Sequence, residues 1–517
     1  MDSDPKTPTP PAEPATTSPR IGVDEWVKRS DERTAGPRGL FGATSRLING
    51  VPQVVWLVGF LAFACVLPFV TSNGYVIGVD ADTLLYVLLA LGLNVAVGWA
   101  GLLDLGYIAY YGFAAYLFAE LSSGHYGLHW PTWQSVAVVI AATILLGFVL
   151  ALPSRRLSGD YLAIVTLFFL QIFNNFTAQG QAWDWLGFGA PHDITGGPTG
   201  ITNVDPFRTP HVHVWFIRIK AHVLDNAPTD YVWIAAAGIA VIAVLLGFVN
   251  RSRTGRAWRA LREDSLAAEA MGMPVKWLMM LAVAVGAGVA GFAGTVNAAY
   301  YQGVFPSAFT FPLLITLYAM VILGGAGSLG GVIFGAVVVN VLLEVLRTPY
   351  QARWVFYAII LVGLAVKLRP WRALIAVFGG LLALGVAAHE IASAISPRLV
   401  AGPIAEGPTS YSTHGFFATL LRHWMILPAH TYTGGDYKAG NYAFVATIVL
   451  VLALTLVKGW KRWVLLVPTI YVAAFAWETD LINQAPTVRP LLLGVILIVL
   501  MAARPAGLFG QHRVEVV

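Results

Sequence analysis

Long apolar runs recur along nearly the whole chain and are separated by short polar segments. The runs are roughly 16–24 residues long, and about 20 apolar residues in a helix cross the hydrocarbon core of a bilayer. Runs such as 136–152 and 491–501 are continuous, whereas strands of a membrane β-barrel alternate apolar and polar positions. We therefore predict an all-α fold, a polytopic bundle of about 14 transmembrane helices. The predicted spans lie near 51–70, 82–99, 102–121, 134–152, 160–178, 231–249, 277–300, 311–325, 328–346, 354–368, 372–389, 441–457, 462–478 and 489–503.

The composition supports a membrane protein. Of the 517 residues, 57% are hydrophobic and 11% are charged, whereas soluble proteins average about 25% charged residues. The net charge is +5, and in a membrane protein such an excess indicates topology rather than nucleic-acid binding. The single cysteine, Cys65, excludes a disulfide within the chain. The first apolar run begins near Val51, and we expect no cleaved leader before it.

Basic residues are distributed unevenly between the loops, and this predicts an orientation. With the amino terminus inside, an inner loop receives the five arginines of 251–262, whereas the outer loops 71–81, 122–133 and 301–310 contain no Lys or Arg. Cytoplasmic loops of membrane proteins are enriched in these residues. Both termini are therefore predicted to be cytoplasmic.

The chain contains few groups that could drive transport on their own. Only Asp104 and Glu344 place a carboxylate well inside a predicted span, whereas ion-coupled transporters use ionisable groups within the membrane. No GxxxxGK[ST] phosphate-binding motif occurs, and the Gly-rich stretch 324–331 lacks its lysine. We interpret that stretch as close helix packing or a tight turn. We expect no catalytic, metal or nucleotide site in this chain and an energy source in a partner protein.

The most informative segment is the predicted cytoplasmic stretch 252–272. Asp264 or Ser265 is suited to cap a short helix that Gly272 would end. An apolar face on that helix is formed by Leu266, Ala270 and Met271, with Glu269 beside it. Such a helix suits insertion into a groove on another protein. The plainer alternative is a basic inner loop that only sets topology.

At this segment the chain resembles the branched-chain amino-acid permeases of ATP-binding cassette (ABC) importers, of the LivM type. Ala267-Ala268-Glu269 and Gly272 stand where the importer pattern has Glu-Ala-Ala followed by Gly. Further stretches resemble the same family in the same order along the chain, namely 88–117, 157–167, 194–201, 309–311, 321–328 and 504–508.

The resemblance implies a heteromeric importer in a bacterial plasma (inner) membrane. Its parts would be this permease, a homologous second permease, two cytoplasmic ATPases that use ATP and Mg, and an extracytoplasmic solute-binding protein. This chain would bind no cofactor itself. The implied substrate is a branched-chain amino acid, and urea or a short amide stays open because related permeases share much of the pattern. The residues implied to couple the permease to its ATPases are Arg256, Arg259, Glu263, Ala267, Ala268, Glu269 and Gly272.

The resemblance also organises the chain, with one departure from the family pattern in its second half. The predicted parts are a disordered or interfacial cytoplasmic tail at 1–50, the permease core at 51–346 with its coupling loop at 250–276, a family-atypical insertion of about four spans at 347–488 with an external loop at 395–440, and a terminal core helix with a cytoplasmic tail at 489–517.

Several polar residues outside the coupling loop are candidates for function. Asn94, Asp104, Tyr107 and Thr166 are candidates for the translocation pathway. Asn94 could instead join two helices through a hydrogen bond, and Asp104 and Tyr107 could form a structural pair or a gate. Thr195, Gly196 and Gly197 could dock a binding protein or belong to a folded external loop.

A polytopic membrane enzyme acting through its external loops is the distant alternative. Acid–base groups for such an enzyme would come from Asp184, His192 and Asp193 in one loop and from His414, His423, His430 and Asp436 in the other. Their spacing matches no known catalytic arrangement.

Overall fold

The computed structural model describes residues 53–124, 127–152, 160–180, 195–207, 212–214, 217–219, 228–347, 354–361, 371–395, 438–457 and 460–479, with the single positions 364, 424, 494 and 507. The predicted tail 1–50, most of the loop 395–440 and most of the segment 489–517 lie outside this part. Within it the chain is almost entirely helical, and its four strands have only two or three residues each. The predicted all-α fold class is confirmed.

The first half of the core contains five helices. They are α1 Gln53–Val70, α2 Gly74–Asn94, α3 Tyr107–Ser122, α4 Thr132–Leu150 and α5 Asp160–Ala178. A π-helical turn, Val95–Trp99, continues α2. Such turns are rare and occur frequently at functional sites.

The second half of the core contains six helices. They are α6 Pro228–Arg251, α7 Arg253–Glu263, α8 Ser265–Ala270, α9 Val275–Tyr301, α10 Phe311–Gly324 and α11 Leu329–Val345. The short helices α7 and α8 connect α6 to α9. We call the end of the bundle that carries α7 and α8 the inner end, following the predicted orientation, and the opposite end the outer end.

Helices α2 and α9 form the centre of the core. In their most apolar stretches 67% and 72% of the residues are buried, against 28% in α4. Glycines allow the two helices to approach closely, since a Cβ atom on Gly92 would lie 2.9 Å from Val289 Cβ and 3.0 Å from Gly286 O. Small residues are enriched at helix contacts in membranes for this reason.

Short strands join the loops at the outer end. Strand β1 Ile201–Thr202 pairs antiparallel with β4 Gly303–Val304. A second pair joins β2 Val212–Val214 to β3 Ile217–Ile219. Two short 3₁₀ helices, Gly197–Thr199 and Pro306–Ala308, flank β1 and β4.

Helix α2 begins at Gly74 rather than near residue 82, so the predicted outer loop 71–81 is wrong. Asn73 caps the helix, because its Oδ1 accepts a hydrogen bond from the Tyr75 backbone N at 3.0 Å. Polar residues in the first turns, including Asp80, interrupt the apolar pattern there and conceal the helix start.

Helix α3 begins at Tyr107 rather than near residue 102. Gly101 has a φ angle of 72°, which favours glycine, and the chain stays non-helical through 100–104. Asp104 therefore lies in the loop between α2 and α3, and the prediction that it lies within a span is wrong.

Seven helices in the described part are long and apolar enough to cross a membrane by length and composition. Shorter apolar helices occupy Leu57–Val70, Leu329–Val345 and Asn441–Leu454. The total of about 14 spans stays a prediction.

The described part of the predicted insertion includes three more helices, α12 Trp371–Ile395, α13 Lys438–Leu456 and α14 Trp460–Thr479. Helix α14 packs on both α12 and α13. Trp477 of α14 stacks on Phe356 with the ring centroids 4.4 Å apart, and both lie in a small cluster with Leu346, just after α11. In the most apolar stretch of α12 only 17% of the residues are buried.

Candidate functional site

Helix α7 is amphipathic and packs on the core through one face. Ser252 caps it, with its Oγ accepting from the Gly255 backbone N at 3.4 Å. Trp258 and Leu261 are buried, and Trp258 Nε1 donates to the Leu278 carbonyl of α9 at 2.8 Å. The helix is therefore fixed to the inner end of α9.

Helix α8 follows after a single capping residue. Asp264 Oδ1 accepts from the backbone N atoms of Leu266 at 2.9 Å and Ala267 at 3.0 Å. Gly272 ends the segment with a φ of 80°, a conformation that glycine adopts without strain. The predicted short helix, capped by Asp264 and ended by Gly272, is confirmed.

The surface of α8 exposes an apolar tip. Leu266 is 77% exposed and Met271 is 81% exposed. Apolar side chains with that exposure at a polar surface mark contact sites. The structure thus presents the apolar face that the sequence predicts for docking into a groove.

Most of the predicted coupling residues lie on this surface. Those exposed are Arg256, Arg259, Glu263, Ala267, Glu269 and Gly272. Two of them are held by the end of α6, since Arg256 Nη1 donates to the Arg251 carbonyl at 3.0 Å and Arg259 Nη1 to Asn250 Oδ1 at 2.8 Å. Ala268 differs, because it is buried and packs α8 onto the body of the protein.

Arg262 joins α7 to two other segments, a role that the sequence analysis missed. Its Nη1 donates to the carbonyl of Gly98, in the π-helical turn after α2, and to the Ala326 carbonyl at 3.4 Å. Ala326 lies in the turn between α10 and α11. A cluster of arginines in the sequence carries no signal that one of them turns inward.

Trp99, Trp258 and Asn94 make further contacts at the same place. Together with Arg262 they form what we call the inner joint, which connects α7 and the π-helical turn to the turn between α10 and α11. Trp99 stacks on Trp258 with the centroids 6.2 Å apart and 22° between the ring planes. Trp99 Nε1 donates to the Gly327 carbonyl at 3.0 Å, and Asn94 Oδ1 accepts from the Gly327 backbone N at 2.8 Å. The helix-joining alternative for Asn94 therefore describes its contacts. Within the Gly-rich stretch 324–331, residues 325–328 form a tight turn between α10 and α11, and Gly324 and Gly331 pack closely on either side of it, so both predicted interpretations describe this stretch.

The other pathway candidates meet at the loop between α2 and α3. Thr166 Oγ1 of α5 accepts from the Leu105 backbone N at 3.0 Å. Asp104 Oδ1 accepts from the Gly106 backbone N at 2.9 Å. The Asp104 carbonyl accepts from the Tyr318 hydroxyl of α10 at 2.8 Å. Tyr107 begins α3 and packs its hydroxyl against Gly92. The loop is thus fixed between α5 and α10.

The three candidate docking residues near the outer end are all buried, namely Thr195, Gly196 and Gly197. Thr195 Oγ1 donates to the Thr177 carbonyl at 2.8 Å, so the segment closes the end of α5. The exposed neighbours are Pro198 and Thr199. The structure favours the folded-loop interpretation of these residues.

The residues of the distant enzyme alternative lie outside the described part of the chain, namely Asp184, His192, Asp193, His414, His423, His430 and Asp436. Among the described residues, no group of three or more His, Cys, Asp or Glu side chains is arranged to hold a metal ion.

These features define a polytopic helical membrane protein in which a short capped helix pair between two long helices is joined to the inner ends of other helices. Residues 75–368 match the model of a family described as branched-chain amino acid transport system / permease component. The chain belongs to this family, which confirms the resemblance seen in the sequence. It is a multi-pass membrane protein and a transport permease.

Individual relatives agree with this family. The high-affinity branched-chain amino acid transport system permease protein LivM of Escherichia coli (strain K12) is 35% identical over 352 residues, which are 65% of this chain and 77% of the relative. The LivM protein of Salmonella typhimurium is 34% identical over 359 residues, 67% of this chain and 79% of the relative. The permease protein LivH of Salmonella typhimurium is 31% identical over 119 residues, 23% of this chain and 37% of the relative. No solved structure matches the chain.

Proposed function

We propose that this chain is one permease subunit of an ATP-driven ABC importer for branched-chain amino acids. The observation that carries the proposal is the exposed, capped helix α8 in a member of this permease family. Its apolar tip is suited to a groove on an ATPase, and its neighbour α7 reaches the inner ends of α2 and α10 through Arg262.

The importer works in the inner membrane of a bacterium, with both termini of this chain in the cytoplasm. This orientation places the five arginines of 251–262 inside, as the positive-inside rule requires. Helices α7 and α8 then lie on the side where ATP is available.

The partners are a homologous second permease, two ATPases and an external solute-binding protein. ATP and Mg are used by the ATPases, and this chain binds no cofactor and carries out no catalysis. Similarity to both LivM and LivH proteins supports a second permease of the same family. The binding protein captures the solute and docks at the outer end, where Thr195, Gly196 and Gly197 shape the loop that exposes Pro198 and Thr199.

Asn94, Asp104, Tyr107 and Thr166 contribute to the translocation pathway. Among the described residues, Asn94 Nδ2 and Asp104 Oδ2 are buried without a hydrogen-bond partner. A buried polar atom without a partner is costly in a membrane protein and calls for an explanation, such as a bound water or a functional role. We propose that these atoms meet the solute or water when the pathway opens.

The relatives favour a branched-chain amino acid over urea as the solute. The LivM and LivH proteins that resemble this chain are named for branched-chain amino acid transport, and the matching family carries the same description.

Uptake into vesicles tests the proposal. The complete complex, with ATP inside the vesicles next to the ATPases, is expected to import leucine, and excess valine or isoleucine should compete while urea should not. The chain reconstituted alone is the control and should accumulate nothing. Competition by urea would favour the alternative hypothesis that the importer transports urea or short amides. Accumulation by the chain alone would refute an ATP-driven mechanism.

A further inference from the structure

Arg262 is one of two side chains described above through which α7 touches the inner ends of other helices, the other being Trp258. Its guanidinium donates to Gly98 O, at the end of the π-helical turn after α2, and to Ala326 O, at the turn between α10 and α11. Carbonyls at the end of a helix lack intrahelical partners and carry partial negative charge. The one guanidinium group therefore donates hydrogen bonds to carbonyls in two segments that lie far from α7 in the sequence.

The surrounding backbone is shaped around this side chain. Gly101 has a φ of 72°, and a Cβ atom there would lie 2.9 Å from Arg262 Cγ. Gly327 has a φ of 96°, and a Cβ atom there would lie 2.7 Å from Arg262 Nη1. Both glycines thus combine a positive φ with close approach to the arginine, so the arginine fills a space that side chains at these positions would occupy.

The inner joint is connected to α8 through a few residues at the end of α7. Arg262 lies two residues before Asp264, which caps α8. Trp258, one turn earlier in α7, donates to Leu278 O and stacks on Trp99. We therefore expect a displacement of α8 to move α7 with it as a unit. The movement would act on the Gly98 and Ala326 carbonyls through their hydrogen bonds with Arg262.

We propose that Arg262 is the positioning residue that transmits movement of the α7–α8 pair to the inner ends of α2, α10 and α11. The proposal rests on the proposed function, in that an ATPase moves α8. Arg262 would hold the π-helical turn and the 325–328 turn together in one arrangement of the transporter and let them separate in another. Coupling between sites requires such an element with two discrete arrangements.

The planar arrangement of several N–H donors on the guanidinium group matters for this role. Arginine presents several N–H donors in a fixed planar geometry, whereas lysine offers a single ammonium group. Arg262→Gln removes the charge, and Arg262→Lys keeps the charge but not the fork. Arg253→Gln is the matched control, because Arg253 is exposed at the start of the same helix and its loss changes the net charge equally.

The first measurement is the number of ATP molecules hydrolysed per solute imported by the purified complex. Arg262→Gln is expected to raise this ratio about tenfold, within the range of coupling between distant sites, with a smaller rise for Arg262→Lys and none for Arg253→Gln. A variant that only folds poorly lowers hydrolysis and import together and leaves the ratio unchanged.

The second measurement does not depend on the solute. In a Cys65→Ala chain, which has no other cysteine, Leu103→Cys places one thiol at a 45% exposed position in the loop beside Arg262. ATP is expected to change its rate of labelling by a water-soluble maleimide about fivefold, and Arg262→Gln should abolish the change.

Three results would overturn the proposal. One is an Arg262→Gln complex with the unmodified ratio and ATP-dependent labelling. Another is failure of both Arg262 variants to assemble with the ATPases, which would give the residue a purely structural role. The third is an unmodified complex without ATP-dependent labelling or import, and this result refutes the proposed function itself before any variant is compared.

Discussion

At the outer end of the core, main-chain hydrogen bonds join the loops beside side-chain bonds such as those of the Tyr231 hydroxyl, which accepts from Phe207 N and donates to Ala299 O. At the inner end, side chains reach across to backbone groups. The outer loops share the β1–β4 pair. They also share hydrogen bonds from Val204 N to Gln302 O at 3.2 Å and from Asp205 N to Ser122 O at 3.1 Å. Main-chain bonds survive most substitutions, because every residue except proline supplies the same groups.

The inner joint depends instead on a few named side chains. Arg262 and Trp99 donate to carbonyls of the 325–328 turn, Asn94 accepts from its backbone, and Trp258 donates to α9. One substitution can therefore disconnect this joint. The difference suits a transporter in which the inner end moves and the outer end keeps a fixed shape for docking, and substitutions at the two ends should differ accordingly.

The largest effect is expected from Gly98→Val. A Cβ atom at Gly98 would lie 2.5 Å from Gly327 N, so the π-helical turn and the 325–328 turn would be forced apart. Overpacking of this kind should lower the free energy of unfolding by about 3 kcal/mol. Thermal unfolding in detergent measures it. Gly247→Val is the control, since nothing lies within 4 Å of a Cβ there, and equal losses for the two variants would contradict the inner joint.

Met271→Asp should weaken binding of the ATPase by about 2 kcal/mol, the size of an interface hot spot. The reason is that a charge would replace an 81% exposed apolar side chain at the tip of α8. Met271→Leu keeps the apolar bulk and should bind normally. Co-purification at several ATPase concentrations gives the affinities, and normal binding by the aspartate variant would show that α8 is not the contact.

Trp258→Phe should cost about 1 kcal/mol of stability, because the hydrogen bond to Leu278 O is lost while most of the buried ring remains. Trp277→Phe is a suitable control, since Trp277 is 54% exposed. Chemical unfolding of both variants gives the difference. A larger loss from the control would mean that α7 is not held by Trp258.

The smallest effect is expected at the outer end. His129 Nδ1 and Asp205 Oδ2 lie 2.7 Å apart, and the histidine side chain is 53% exposed. Exposed polar contacts of this kind contribute less than about 1 kcal/mol, and the neighbouring main-chain bonds remain in Asp205→Asn. Transport should be unchanged. A loss of transport comparable to that of Arg262→Gln would remove the distinction between the two ends.

The sequence predicts the helices of the core because apolar periods as long as a bilayer leave few alternatives. Helix starts are less predictable where polar residues lie inside a helix, as with Asp80 and Asp82 in α2. The opposite error occurs in the loop before α3, which is apolar enough to read as helix, although Gly101 and Gly106 flank it. Local hydropathy therefore predicts neither the start of α2 nor the loop before α3.

The capped helix α8 is predictable since all its signals are local, from Asp264 to Gly272. The role of Arg262 is not, because its partners Gly98 and Ala326 lie 164 and 64 residues away in sequence. The burial of Ala268, Thr195 and Gly197 also depends on tertiary packing. Local motifs thus identify the contact surface, whereas only the fold identifies what it is connected to.

The helices of the predicted insertion form a further region whose contacts differ from those of the core. Its helix α14 meets the end of α11 through the stack of Trp477 on Phe356, and α12 is mostly exposed in this single chain. Nothing in these contacts involves the inner joint.

A thiol at the tip of α8 tests most directly whether an ATPase acts on the α7–α8 pair. Met271→Cys in the Cys65→Ala chain gives a single reactive position. In intact cells it should resist a membrane-impermeant maleimide, and in isolated membranes it should form a cross-link to the ATPase subunit. Labelling from outside intact cells, or an assembled complex without that cross-link, would contradict the account.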